Sequence, residues 1–149
     1  MSRLVKSLIV GPVLASLFYG PFAAAREQIP AENRQYGYSG TVSSCDDEGI
    51  LSRIQNRFET TERRFWQSDA TIIGFEHIQE SAFRPDGEDL IPRRYCRAVA
   101  VMANRKRHTL VYAIIEGAGI IGMGEGVQFC LAGYDRNLTA EPGCARLNR

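Results

Sequence analysis

The chain has almost no net charge, no apolar run long enough to cross a membrane, and two histidines among its 149 residues. Each scarcity removes a class of function. A formal charge of +1, from 18 basic and 17 acidic residues, lacks the basic excess that nucleic acid or anionic lipid calls for in a bulk electrostatic partner. The apolar stretch from Leu8 to Phe22 is about 15 residues and contains Gly11, Pro12, Gly20 and Pro21, against the ~20 needed to span a bilayer. The four cysteines, Cys45, Cys96, Cys130 and Cys144, are separated by 50, 33 and 13 residues, with neither a C-x-x-C pair nor a neighbouring histidine. Zinc is therefore not expected, nor any other metal or cofactor.

What is present begins with an address. Met1 to Lys6 carries Arg3 and Lys6 and no acid, and the apolar run after it ends in Ala23-Ala24-Ala25, a small-x-small cleavage site. The expectation is a cleaved signal peptide, residues 1–25, and a periplasmic or secreted product. No cysteine follows until Cys45, which argues against a lipid anchor. Taking Arg3 and Lys6 from the 18 basic residues leaves 16 against 17 acids, a net charge of −1. Arg63-Arg64, Arg93-Arg94 and the run Arg105 to Arg107 then read as solvated surface, with no nucleic acid and no stable membrane anchor among the partners. In an oxidising compartment, four cysteines read as two disulfides.

Residues 26–44 are polar, broken by Pro30, Gly37 and Gly40, and read as a flexible leader to a single domain over 45–149. Ser44 and the acids Asp46, Asp47 and Glu48 mark a helix start. Leu51, Ile54, Phe58 and Phe65 then line one stripe of a helix to about Gln67, with Thr61 filling the missing step and Glu62 on another face. Trp66 is placed beside that stripe, closing its end against the sheet, or else free to stack on a ligand. Four strands follow, about Ala70 to Phe83, Arg94 to Met102, Thr109 to Glu116 and Gly126 to Tyr134, the first closed by the turn Arg84-Pro85-Asp86-Gly87.

One helix followed by four strands predicts an α+β fold, an antiparallel meander packed on the helix. The element order resembles the cystatin-like layout, with Cys96, Ala98 and Ala100 small enough to let the helix approach. In such a meander strands two and four lie roughly 9 to 10 Å apart, too far for a Cys96–Cys130 bridge. Of the two pairings left, Cys45–Cys96 with Cys130–Cys144 is preferred, since it ties the helix start to the sheet and pins the tail.

Few clusters carry chemistry. Gly117-Ala118-Gly119-Ile120-Ile121-Gly122 fits G-x-G-x-x-G, but a strand follows within a few residues where a dinucleotide site needs a helix. Ile120, Ile121 and Met123 are poor residues for a solvated loop. The favoured reading folds the loop back on the core; otherwise it is an apolar surface for a partner, and it is the leading binding-site candidate. His77 is a second candidate, with Tyr112 or Tyr95, for a conical pocket between helix and sheet. Strand alternation sets His77 opposite Glu76 and Glu80, which converge with it only if a bulge intervenes. His108 reads as surface, and no serine, histidine and aspartate stand in a spacing that marks a nucleophile.

Arg94-Tyr95-Cys96, Gly126-Val127-x-Phe129-Cys130, Asp135-Arg136 and Pro142-x-Cys144 together resemble a family of small exported bacterial proteins without an assigned activity, over roughly Cys45 to Leu147. The resemblance implies a shared scaffold and no catalytic residue. The expected function is a non-catalytic binding or interaction module with a protein or envelope partner. A small-ligand protein or enzyme with a conical pocket is the alternative, and a homodimer through the outer sheet face fits either.

Overall fold

A computed structural model describes residues 37–85, 91–140 and 143–147. The expected signal peptide, most of the leader, and Asp86 and Gly87 of the first turn lie outside the described residues. Helix α1 (Glu48–Trp66) precedes strands β1 (Ile72–Arg84), β2 (Arg93–Met102), β3 (Arg107–Ile115) and β4 (Gly126–Leu131), and short 3-10 turns occupy Ile120–Gly122 and Ala145–Leu147. The strands form one antiparallel sheet in the order β1-β2-β3-β4, so the described residues form an α+β domain with one helix packed on a meander. Among the described residues no helix is long and apolar enough to cross a membrane.

Asp47 caps the helix, its carboxylate accepting the Ile50 N–H at 3.0 Å, and Gln67 ends it in the left-handed conformation. Ile50, Ile54, Phe58 and Glu62 are the buried face. Phe65 is 66% exposed and Thr61 is exposed as well, contrary to the stripe read from the sequence. Steps of four residues rotate the contact line by about 40° each, so by the last turn the sheet meets the position of Glu62. The three apolar side chains contribute on the order of 1.5–3 kcal/mol each by leaving water.

Their partners are the inward residues of the meander: Cys96, Ala98, Ala100 and Met102 from β2, with Leu110, Tyr112 and Ile114 from β3. The Tyr112 hydroxyl donates to the Cys45 carbonyl at 2.6 Å. Burial, and then the negative charge of Asp46, raise the Tyr112 phenol above its ordinary range. A raised folded-state pKa means that stability is complete below the unfolded value, about 10, and is lost as pH rises through the folded value. Tyr112→Phe is expected to cost ~1–2 kcal/mol at neutral pH by orphaning the carbonyl, and to flatten the alkaline loss. Urea unfolding at about pH 7 and at about pH 11 checks both parts.

The disulfides are Cys45–Cys96 and Cys130–Cys144, with Cα separations of 5.7 and 5.6 Å. The first lies in the core beneath the helix start. The second fastens the C-terminal segment over the outer face of the sheet, where Ala140, Cys144 and Leu147 cover Val111, Ala113 and Cys130. A homodimer through that face would have to use what this segment leaves uncovered.

The two sheet edges differ. β1 sets 13 residues against ten of β2, with register shifts after Ile72, Glu76 and Glu80. Bulges of this kind discourage pairing with a further strand. β4 is short and pairs with β3 without a shift.

Candidate functional site

The loop between β3 and β4 stands on two glutamates. Glu116 accepts the Ser39 N–H and hydroxyl, each at 2.7 Å, and the Gly40 N–H at 3.0 Å; Glu125 accepts the Ser43 N–H at 2.6 Å. The Ser39 backbone and side-chain bonds, with that from Gly40, hold the Glu116 carboxyl below its usual range against a small opposing effect of burial. These bonds correct the flexible-leader reading for its last residues: from Ser39 the chain is fastened to the domain, and Val42 is buried in the core. On the helix side, Arg53 donates to the Glu125 carbonyl at 2.6 Å and Arg57 to the Val127 carbonyl at 2.7 Å.

Glycine makes the loop's close turn. A Cβ on Gly119 would lie 2.1 Å from the Met123 carbonyl oxygen, and one on Gly126 would lie 2.2 Å from that of Ala118. The Gly119 N–H bonds Gly124 O at 3.1 Å, and Met123 N–H bonds Ile120 O at 3.1 Å. The tip is open to solvent: Ile120 is 85% exposed, Ile121 89% and Met123 72%. The favoured expectation that these residues fold back on the core is therefore overturned. The turn is too tight to return them to the sheet, and the core beneath is already filled by Ile114 and Val127. Ile121 also holds φ 59° and ψ 27°, a left-handed conformation that β-branched residues avoid.

The other candidates are not brought together. His77 sits in the middle bulge of β1 with φ 52° and is exposed, far in register from the β3–β4 loop. The bulge does arise, yet the acids beside it are engaged elsewhere: Glu76 pairs with Arg107 at 2.9 Å and Glu80 with Arg94. The Arg107 hydrogen bond lowers the Glu76 carboxyl from its ordinary value. Tyr112 is buried under the helix and Tyr95 is buried on the opposite face of the sheet, so His77 shares no pocket with either. Arg94, read as solvated, is half-buried, stacks 4.4 Å above the Phe83 ring and donates to the Val42 carbonyl at 3.0 Å. His108, read as surface, is half-buried, its Nδ1 2.9 Å from the Ala132 carbonyl and its ring edge-on to Tyr134.

Trp66 lies at the helix end, 37% exposed, with the Arg136 guanidinium 5.2 Å from its ring. Arg136 pairs with buried Glu62 at 2.7 Å. Both line a cleft of about 590 Å³ that runs around the β4 edge to the outer sheet face. A second depression, about 800 Å³, is lined by Arg53 and Arg57 on one side and by Ile120 and Met123 of the loop on the other. Sequence reading missed the Arg53, Arg57 and Arg136 roles, because the backbone carbonyls and the glutamate they meet are more than 60 residues away along the chain. Among the described residues no cluster of three metal-ligating side chains exists.

Fold and site together define a disulfide-bonded α+β domain that displays an exposed apolar loop. Comparison with family models, with curated proteins and with solved structures found no match.

Proposed function

We propose that the protein is an exported, non-catalytic interaction module that holds a protein or envelope partner through the β3–β4 loop. The carrying observation is Ile121, a β-branched residue held left-handed while 89% exposed. That conformation costs about 1–2 kcal/mol, and no burial in the isolated chain offsets it. Strain of this kind persists where a function requires the geometry. Ile120 and Met123 flank it on a base fixed by Glu116 and Glu125, so a partner meets an apolar surface whose ordering entropy is already spent. Export is supported by the two disulfides, which persist in oxidising compartments.

Two substitutions separate the strain from the contact. Ile121→Gly is expected to raise stability by about 1 kcal/mol and to weaken partner association; Ile121→Asp is expected to abolish association with little change in stability. Thermal unfolding and co-sedimentation with the cell envelope fraction read the two effects. Undiminished association of both variants would refute the loop as the contact surface.

A further inference from the structure

On the outer face of the sheet Arg84, Arg93 and Arg146 come together, and among the described residues no acid pairs with them. Arg84 and Arg93 stand directly opposite each other at the end of the β1–β2 ladder, a like-charged cross-strand pair that is unfavourable when left alone. The Arg84 guanidinium lies 5.9 Å from the Tyr95 ring, and Tyr95 and Arg93 line the 590 Å³ cleft together with Arg146 from the C-terminal 3-10 turn. Among the described residues none of these three arginines has a carboxylate partner. Among the described residues the buried Arg93 Nε has no hydrogen-bond partner. A buried charged donor without an acceptor is costly and uncommon in native proteins.

The acids among the described residues that line the cleft, Glu62 and Asp135, are committed. Glu62 holds Arg136, and Asp135 accepts the Thr139 N–H and hydroxyl at 3.1 and 2.9 Å and the Ala140 N–H at 2.9 Å. The floor is formed where Tyr95, Ala113 and Gln128 lie side by side across β2, β3 and β4. Ala113 leaves a depression between two larger neighbours, Leu147 forms a wall, and the groove continues past Phe129 to Trp66. Its volume lies in the range that holds small organic ligands.

We propose that this cleft is a binding site for a small organic acid with an aromatic or apolar body, whose carboxylate or phosphate is held by Arg93 and Arg146 and whose body lies against Leu147 and Gln128 over the Tyr95–Ala113 floor. Arg84 adds to the positive potential without touching the ligand. The site is separate from the apolar loop, so either can fail without the other.

Trp66 is the chain's one tryptophan and lines the cleft, so its fluorescence reports occupancy. The oxidised protein is titrated with phenyl phosphate, with benzoate and with uncharged benzamide, followed by fluorescence and by calorimetry. Saturable binding of one or both anions, weakening with salt, is expected, and the tighter of the two identifies the anionic group. Arg93→Gln and Arg146→Gln should each weaken it about tenfold, the loss of one charge-assisted hydrogen bond. Arg105→Gln, on the far β2–β3 turn, should not. If Arg93→Gln disturbs folding, Arg146→Gln, on an exposed residue, carries the test. Absence of binding, equal binding of benzamide, or anion binding unchanged by Arg146→Gln would overturn the proposal.

Discussion

Replacing Cys45 and Cys96 together by serine is expected to lower stability by about 4 kcal/mol and the melting temperature by roughly 20 °C. The bridge closes 51 residues of chain, and a loop of that length carries a large closure entropy in the unfolded state. Both sulfurs are in the core, so serine there also buries two hydroxyls among Ile50, Ala98 and Tyr112. The Cys130–Cys144 bridge closes a sequence separation of only 14 and should give less, about 3 kcal/mol. Its removal should instead free the C-terminal segment from the outer face. Denaturant unfolding of both double variants, with hydrogen exchange at Val111 and Ala113, distinguishes the two results.

The second large effect concerns Glu62. Arg136→Ala is expected to cost about 3 kcal/mol, because it leaves a carboxylate that is 2% exposed without its cation. The lower end of the usual range applies, since the Arg136 side chain is itself 38% exposed and water partly screens the pair. Replacing both residues, with Glu62→Leu and Arg136→Met, should recover most of the loss by restoring apolar contact with Phe58 and Tyr134. The exposed Glu59–Arg63 pair on the same helix is the internal control, with an expected cost of about 0.3–0.5 kcal/mol. A double-mutant cycle by urea unfolding yields the coupling.

These two cases also show what local pattern can and cannot reveal. The α+β order and the helix were legible because each follows from short-range periodicity; for the disulfides, strand spacing excluded only Cys96–Cys130, and the observed pairing is the preferred one of the two left. Ala98 and Ala100 lie under the helix as their size suggested. The helix stripe was read correctly through Phe58 and wrongly at its end, because the contact line drifts to Glu62, whose cation partner lies 74 residues further on. The β1 bulges were invisible for a similar reason: 13 residues of strand-like sequence do not disclose that the partner has ten.

At the candidate site, composition singled out Ile120, Ile121 and Met123 and favoured folding them back on the core, whereas they are exposed. Ile120, Ile121 and Met123 are as apolar as core residues, and only the tight glycine geometry at Gly119 and Gly126 shows that they are held outward. The arginine cluster was not legible at all. Arg84, Arg93 and Arg146 come from three elements, and only the assembled sheet brings them together.

The proposed role of the loop is tested most directly in intact cells. A photoreactive residue at position 123, compared with one at the exposed turn position 105, reports what each surface touches. A single discrete adduct from position 123, absent from position 105 and lost with Ile121→Asp, is the predicted result. No adduct at 123, or the same adducts at both positions, would contradict the proposal.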